Sequence, residues 1–160
     1  MSYKFNWKKN FLNSSYTIFS NEKPEGRFES KFLSGDANGE LFGKKYFFRT
    51  KGFFKQTTDV YDSLNNIKVA EISYKGFSYK ADITTRSNGY YWKYNNLLNT
   101  KWSLNSNDRS IINYKESTTK GQADSNTKDP FLILSGLFIG NYYNDISYLI
   151  IFMVLFIVVI

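Results

Sequence analysis

The feature that most constrains this chain is the stretch 129–160, where the only formal side-chain charge after Asp129 is Asp145. Two apolar runs lie there, separated by Asn144-Asp145. Asp129 is placed to cap a helix, because its carboxylate can accept from the unpaired amides of the first turn. Pro130 then suits the first helical position, where no donor is needed. At 3.6 residues per turn, Phe131, Leu132, Ile133, Leu134, Leu137, Phe138 and Ile139 point in every direction. The helix predicted over 130–143 must therefore be enclosed. The second run, 146–160, is more apolar still and predicts a second apolar helix.

What can enclose the first helix is written in the preceding residues. Short β-forming runs separated by turn residues extend from 16 to about 114: 16–19, 27–32, 45–50, 53–57, 60–62, 67–72, 77–83, 90–94, 102–104 and 111–114. The stretch 77–83 alternates apolar and polar residues, the mark of a half-buried strand. Residues 35–39 read as a turn, 63–66 and 105–109 as hairpin loops, and Asn88-Gly89 as a tight hairpin turn. Strands about ten residues apart with no helical pattern between them predict an antiparallel sandwich or barrel. A helix of 14 residues rises about 21 Å, close to the length of a six-residue strand. It therefore fits the height of a closed sheet. A barrel of about eight strands is filled by its own side chains, so enclosing a helix takes more. Ser135, Gly136 and Gly140 keep one side of the helix slim where a wall can approach closely.

Charge and chemistry narrow the function. The chain carries +7, and setting aside Asp145 leaves +8 on residues 1–129. An excess of that sign favours anionic partners, either nucleic acid or a lipid surface. With no Cys and no His, disulfides, Cys/His zinc sites, thiol nucleophiles and imidazole acid–base chemistry are absent. Asp59, Asp62, Glu71 and Asp82 show no spacing that pairs them for acid–base or metal work and read as turn and surface residues. The chain reads as non-enzymatic, and no cofactor is expected. Residues 1–15 hold no apolar core of signal-peptide length, so secretion is not expected, and Ser2 in place of Gly excludes N-myristoylation.

The densest basic stretch is 44–55, with no acid between Glu40 and Asp59. On a strand Lys45, Phe47 and Arg49 share one face, and Tyr46, Phe48 and Thr50 the other. Lys44, Lys45, Arg49, Lys51 and Lys55 are thus the candidate lipid- or anion-binding residues, against the plainer reading of solvated tips on half-buried strands. Lys51-Gly52-Phe53 begins like an RNA-recognition element, but its aromatic spacing breaks at 54–56 and nucleic acid is not expected. The aromatic group 90–94 with Trp102 reads as barrel core and rim, with a ligand-cleft lining as the alternative. The Gly136/Gly140 spacing also matches a transmembrane dimer motif.

The unit of an apolar residue, Asp or Asn, a short turn and an apolar strand in 60–72, repeated more loosely in 102–114, resembles the tubby-like superfamily. So does the run Leu132-Ile133-Leu134-Ser135-Gly136-Leu137-Phe138-Ile139 closed by Asn141-Tyr142-Tyr143. That superfamily comprises the tubby domain, the phospholipid scramblases and the LURP-one-related proteins. The resemblance implies a mainly β fold, a closed antiparallel barrel of about twelve strands around a central hydrophobic C-terminal helix, with residues 1–143 as the domain and 144–160 as an apolar tail. No stretch matches the calcium-binding segment proposed for scramblases. As a helix the tail rises about 22 Å against a hydrocarbon core of about 30 Å. Tyr142, Tyr143 and Tyr148 would form an aromatic belt at the interface. The expected function is binding of anionic phospholipid headgroups at the cytoplasmic membrane face. The alternative is a soluble structural or interaction module whose 146–160 segment docks on a partner subunit or self-associates.

Overall fold

The computed structural model describes every residue except Phe11, Asn13, Leu33, 53–56 and Ile160. Among the described residues, twelve strands form a closed antiparallel barrel: β1 (Tyr3–Asn10), β2 (Ser15–Ser20), β3 (Lys23–Lys31), β4 (Asp36–Leu41), β5 (Lys44–Lys51), β6 (Thr57–Asp62), β7 (Ile67–Tyr74), β8 (Lys80–Thr85), β9 (Gly89–Tyr94), β10 (Lys101–Ser106), β11 (Arg109–Glu116) and β12 (Lys120–Ser125). Each strand pairs with its sequence neighbours, and β1 closes on β12 from Tyr3↔Ser125 to Lys8↔Lys120. An even strand number lets an up-and-down order close antiparallel, which leaves no free edge.

Alternation along each strand decides what faces inward. Phe5 and Trp7, Tyr16 and Ile18, Phe28, Phe48, Val60, Ile72, Ile83, Trp92, Trp102 and Leu104, and Ile112 and Tyr114 are buried inside. Helix α1 (Pro130–Val159) runs up that interior. Phe131 meets Tyr46 near the start of β5, while the Tyr143 hydroxyl donates to the Lys80 carbonyl at the start of β8, at the opposite end. We call the end where the helix starts the base and the end where it emerges the mouth. The Asp129 carboxylate accepts from the Phe131 amide at 2.9 Å, the N-cap that the sequence implies.

The slim side of the helix meets the bulkiest wall. A Cβ on Gly136 would overlap the Tyr114 ring and hydroxyl, and one on Gly140 would lie 2.8 Å from Trp102. The Trp92 and Trp102 indoles both donate to the Gly136 carbonyl (3.2 and 3.1 Å), and the Tyr114 hydroxyl donates to that of Ile133 at 3.1 Å. On the far side Gly39 makes room instead: a Cβ there would sit 3.1 Å from both Leu134 methyls.

Several sequence expectations need correction. The 35–39 stretch is mostly strand β4, because Gly39 is a close-approach glycine and not a turn residue. Strands β1 and β12 lie outside the expected β region, since charged outward residues break their apolar runs. The 77–83 alternation divides into a short 3-10 turn, Gly76–Ser78, and β8. The expected strand 53–57 lies largely outside the described residues. The two expected helices are one: Asn144-Asp145 sits inside a continuous 30-residue α1. Asn and Asp cost only a few tenths of a kcal/mol each in a helix. The Asn141 amide donates to the Asp145 carboxylate one turn on, at 3.1 Å, which helps carry the helix through.

Candidate functional site

Of the five candidate cations, four lie on β5 and Lys55 lies outside the described residues. Lys45, Arg49 and Lys51 point outward, while Tyr46 and Phe48 point inward, as the alternation requires; Lys44 is exposed at the strand start. The register then shows how much of this charge is already matched. Lys45 faces Glu40 on β4, with its Nζ 3.8 Å from the carboxylate. Lys51 Nζ is 2.6 Å from Asp59 on β6, and Lys68 Nζ on β7 is 2.8 Å from the same carboxylate and 2.9 Å from Glu71. Lys44 and Arg49 have no ion pair among the described residues. The strip is less a bare cationic patch than a network with two cations to spare.

Asp59 is the residue that sequence reading missed. It was expected on the surface, yet its side chain is 7% exposed. Burial pushes its carboxyl up, but hydrogen bonds from Lys51 and Lys68 outweigh that and hold it below the usual carboxylate range. The same bonds, from Asp59 first and Glu71 second, raise the Lys68 ammonium. The only sequence trace of this arrangement is that Asp59 ends the acid-free stretch. The β5–β6 and β6–β7 registers, invisible in the sequence, bring the three strands' charges together. The other acids behave as expected: Asp62 accepts from the Leu64 amide in a turn, and Asp82 pairs with Lys75 at 2.9 Å. No cluster of three or more Asp or Glu could hold a metal among the described residues.

The second candidate region is the mouth. Tyr74, Tyr79 and Tyr94 close around Tyr142 and Tyr143, with Tyr74 stacked on Tyr142 at 3.8 Å between ring centres. Tyr142 and Tyr143 therefore seal the barrel and do not form an interfacial belt; of the three tyrosines named for that role only Tyr148 is exposed. Trp92 and Trp102 belong to the same interior cluster, which makes the aromatic group core and rim. Tyr16 donates to the Asn141 side chain at 2.8 Å. Burial raises the Tyr16, Tyr74, Tyr94 and Tyr114 hydroxyls above their ordinary values, with Glu116 adding to the effect at Tyr16 and Tyr94.

Beside the emerging helix a cleft of about 850 Å³ is lined by Lys9, Tyr16, Glu116, Asn141, Asn144 and Asp145, with Leu98 and Ile151 at its outer lip. Lys9 and Glu116 are ion-paired across it. Above this polar collar the helix changes character: residues 151–159, all apolar, are each more than half exposed. No protein-family model matches the chain, and no curated protein matches it.

Proposed function

We propose that this protein is a non-enzymatic, membrane-associated barrel, tethered by the emergent half of α1 and binding anionic phospholipid headgroups at the cytoplasmic face. The observation that carries this reading is the nine-residue run Ile151–Val159, wholly apolar and exposed around its full circumference. Leaving that run in water forgoes on the order of 10 kcal/mol of hydrophobic free energy. Soluble monomers rarely expose a contiguous apolar surface of that kind, and a bilayer satisfies it. The +8 excess on the rest of the chain suits an anionic leaflet. The twelve-stranded wall around an apolar helix supports kinship with the tubby-like superfamily as part of the same proposal.

The test is flotation of the full chain with vesicles, beside a version stopped after Asn144. The full chain is expected to float with anionic vesicles and the shortened chain to stay behind while remaining folded. If the full chain is a monodisperse oligomer without detergent and ignores vesicles, 146–160 docks on a partner subunit and the membrane proposal fails.

A further inference from the structure

We infer that the whole mouth of the barrel, and not the β5 strip, is the surface that meets the bilayer, with the barrel axis standing along the membrane normal. This inference rests on the membrane tether proposed above. Because successive strands alternate in direction, the β1–β2, β3–β4, β5–β6, β7–β8, β9–β10 and β11–β12 hairpins all turn at the mouth. Their tips carry large apolar side chains in water: Leu12, Phe77, Leu97 and Leu98 are each at least 81% exposed, and Phe32 is partly so. Turns normally favour Gly, Asn, Asp, Ser and Pro, for reasons of backbone geometry and local hydrogen bonding. An apolar tip that packs on nothing gains nothing from folding, and four of the six hairpins set such side chains at the end from which the apolar helix protrudes.

The tips also stand at the right height. Leu98 lines the same cleft as Ile151, and Phe32 lines a depression with Ile146 and Leu149. Two of the tips thus lie beside the point where α1 leaves the barrel, and Tyr148 lines the same cleft. Beyond Tyr148 the described helix rises about 16 Å, roughly the depth of one leaflet's hydrocarbon.

Charge completes the match to an anionic bilayer rather than to an apolar protein face. Lys31, Lys80, Lys101, Lys115 and Lys120 stand at or next to the mouth-side ends of β3, β8, β10, β11 and β12, exposed and without ion pairs among the described residues. Lysines just behind apolar tips can lay their stems along the surface and raise their ammonium groups to headgroup phosphates. The base differs. Phe42, Leu64 and Ile67 are exposed there, but acids interleave with the cations of its turns, Glu22 beside Lys23, Asp108 beside Arg109 and Asp129 beside Lys128, and no helix protrudes. An eight-residue strand spans about 24 Å, so Lys44 and Lys45 at the base end of β5 cannot share a headgroup layer with the mouth.

The absence of native Cys allows a direct test on the full chain. Leu97→Cys, Phe77→Cys and, at the base, Leu64→Cys are each labelled with an environment-sensitive dye and mixed with anionic vesicles containing nitroxide-bearing lipid. Labels at 97 and 77 are expected to shift to the blue and be quenched several-fold, while the label at 64 stays aqueous. In parallel, Lys31→Glu with Lys101→Glu is expected to weaken partitioning into anionic vesicles about tenfold or more, and Lys44→Glu with Lys45→Glu to leave it nearly unchanged. If the protein floats but 97 and 77 report water, or 64 is quenched equally, the mouth assignment is overturned while the tether stands. If nothing floats, both fall. A blue shift at 97 before lipid is added means the mouth is covered by a second copy, which also overturns the assignment.

Discussion

The two halves of α1 are almost alike in composition and opposite in circumstance. Residues 131–140 are all buried, and residues 151–159 are all exposed, along one unbroken helix. Below Tyr143 every apolar side chain is buried in the barrel core: Phe138 stacks on Phe48 at 4.5 Å and packs edge-on to Phe28. Above it contact falls away: Ile146 still packs on the edge of the core, and from Ile151 to Val159 every side chain is more than half exposed. The difference teaches that hydrophobicity sets the demand for burial but not the means. One half is satisfied by the chain's own strands, and the other is left for an environment outside the barrel.

Cutting equal aromatic side chains from the two halves gives the largest contrast. Phe138→Ala should destabilise the barrel by about 3–5 kcal/mol in urea unfolding, whereas Phe156→Ala should leave the unfolding midpoint unchanged. Equal effects would mean that the emergent half is also part of the folded core. Next, Gly136→Ala forces a methyl into the Tyr114 ring and should cost about 1–3 kcal/mol, readable as a lower thermal midpoint. An unchanged midpoint would show that the enclosed half tolerates slack.

Alkaline titration probes the seal between the halves. Tyr16, Tyr74, Tyr94 and Tyr114 have hydroxyls held neutral in the fold above the unfolded value near 10. A raised folded pKa contributes stability that is fully present below pH ~10 and lost as pH climbs toward the folded values. Each such group removes up to about 1.4 kcal/mol per pH unit. Unfolding followed by circular dichroism should therefore coincide with the last part of the tyrosinate absorbance to develop; complete tyrosinate absorbance ahead of unfolding would mean these rings are wet. The smallest effect is expected outside the barrel. Asp59→Asn leaves Lys51 without its carboxylate and Lys68 with Glu71 alone, and should cost about 1 kcal/mol. Because the Asp59 pKa is lowered by folding, its contribution is present above its unfolded value and lost as pH falls through the folded one. The acid-induced fall in stability should shrink in the Asn variant; an equal fall would remove the Asp59 network from the account.

Period-two alternation, the turn residues at 63–66, the Asn88-Gly89 signal (whose hairpin forms with the turn at 85–88 and Gly89 opening β9) and the Asp129-Pro130 cap are short-range features, so the residues alone specify a mainly β chain ending in a helix that must be surrounded. The close-packing role of Gly136 and Gly140 was legible for the same reason: small residues on an otherwise bulky helix imply a near neighbour. Which neighbour was not legible, since Trp92, Trp102 and Tyr114 reach that stripe only once β9, β10 and β11 are in register. Nor was the burial of Asp59, which depends on lysines from two other strands, or the set of apolar hairpin tips, which come from loops far apart in sequence. Tertiary structure decided closure, register and the height at which α1 escapes its wall. These are contacts between distant residues, and an apolar side chain carries no mark of what will cover it.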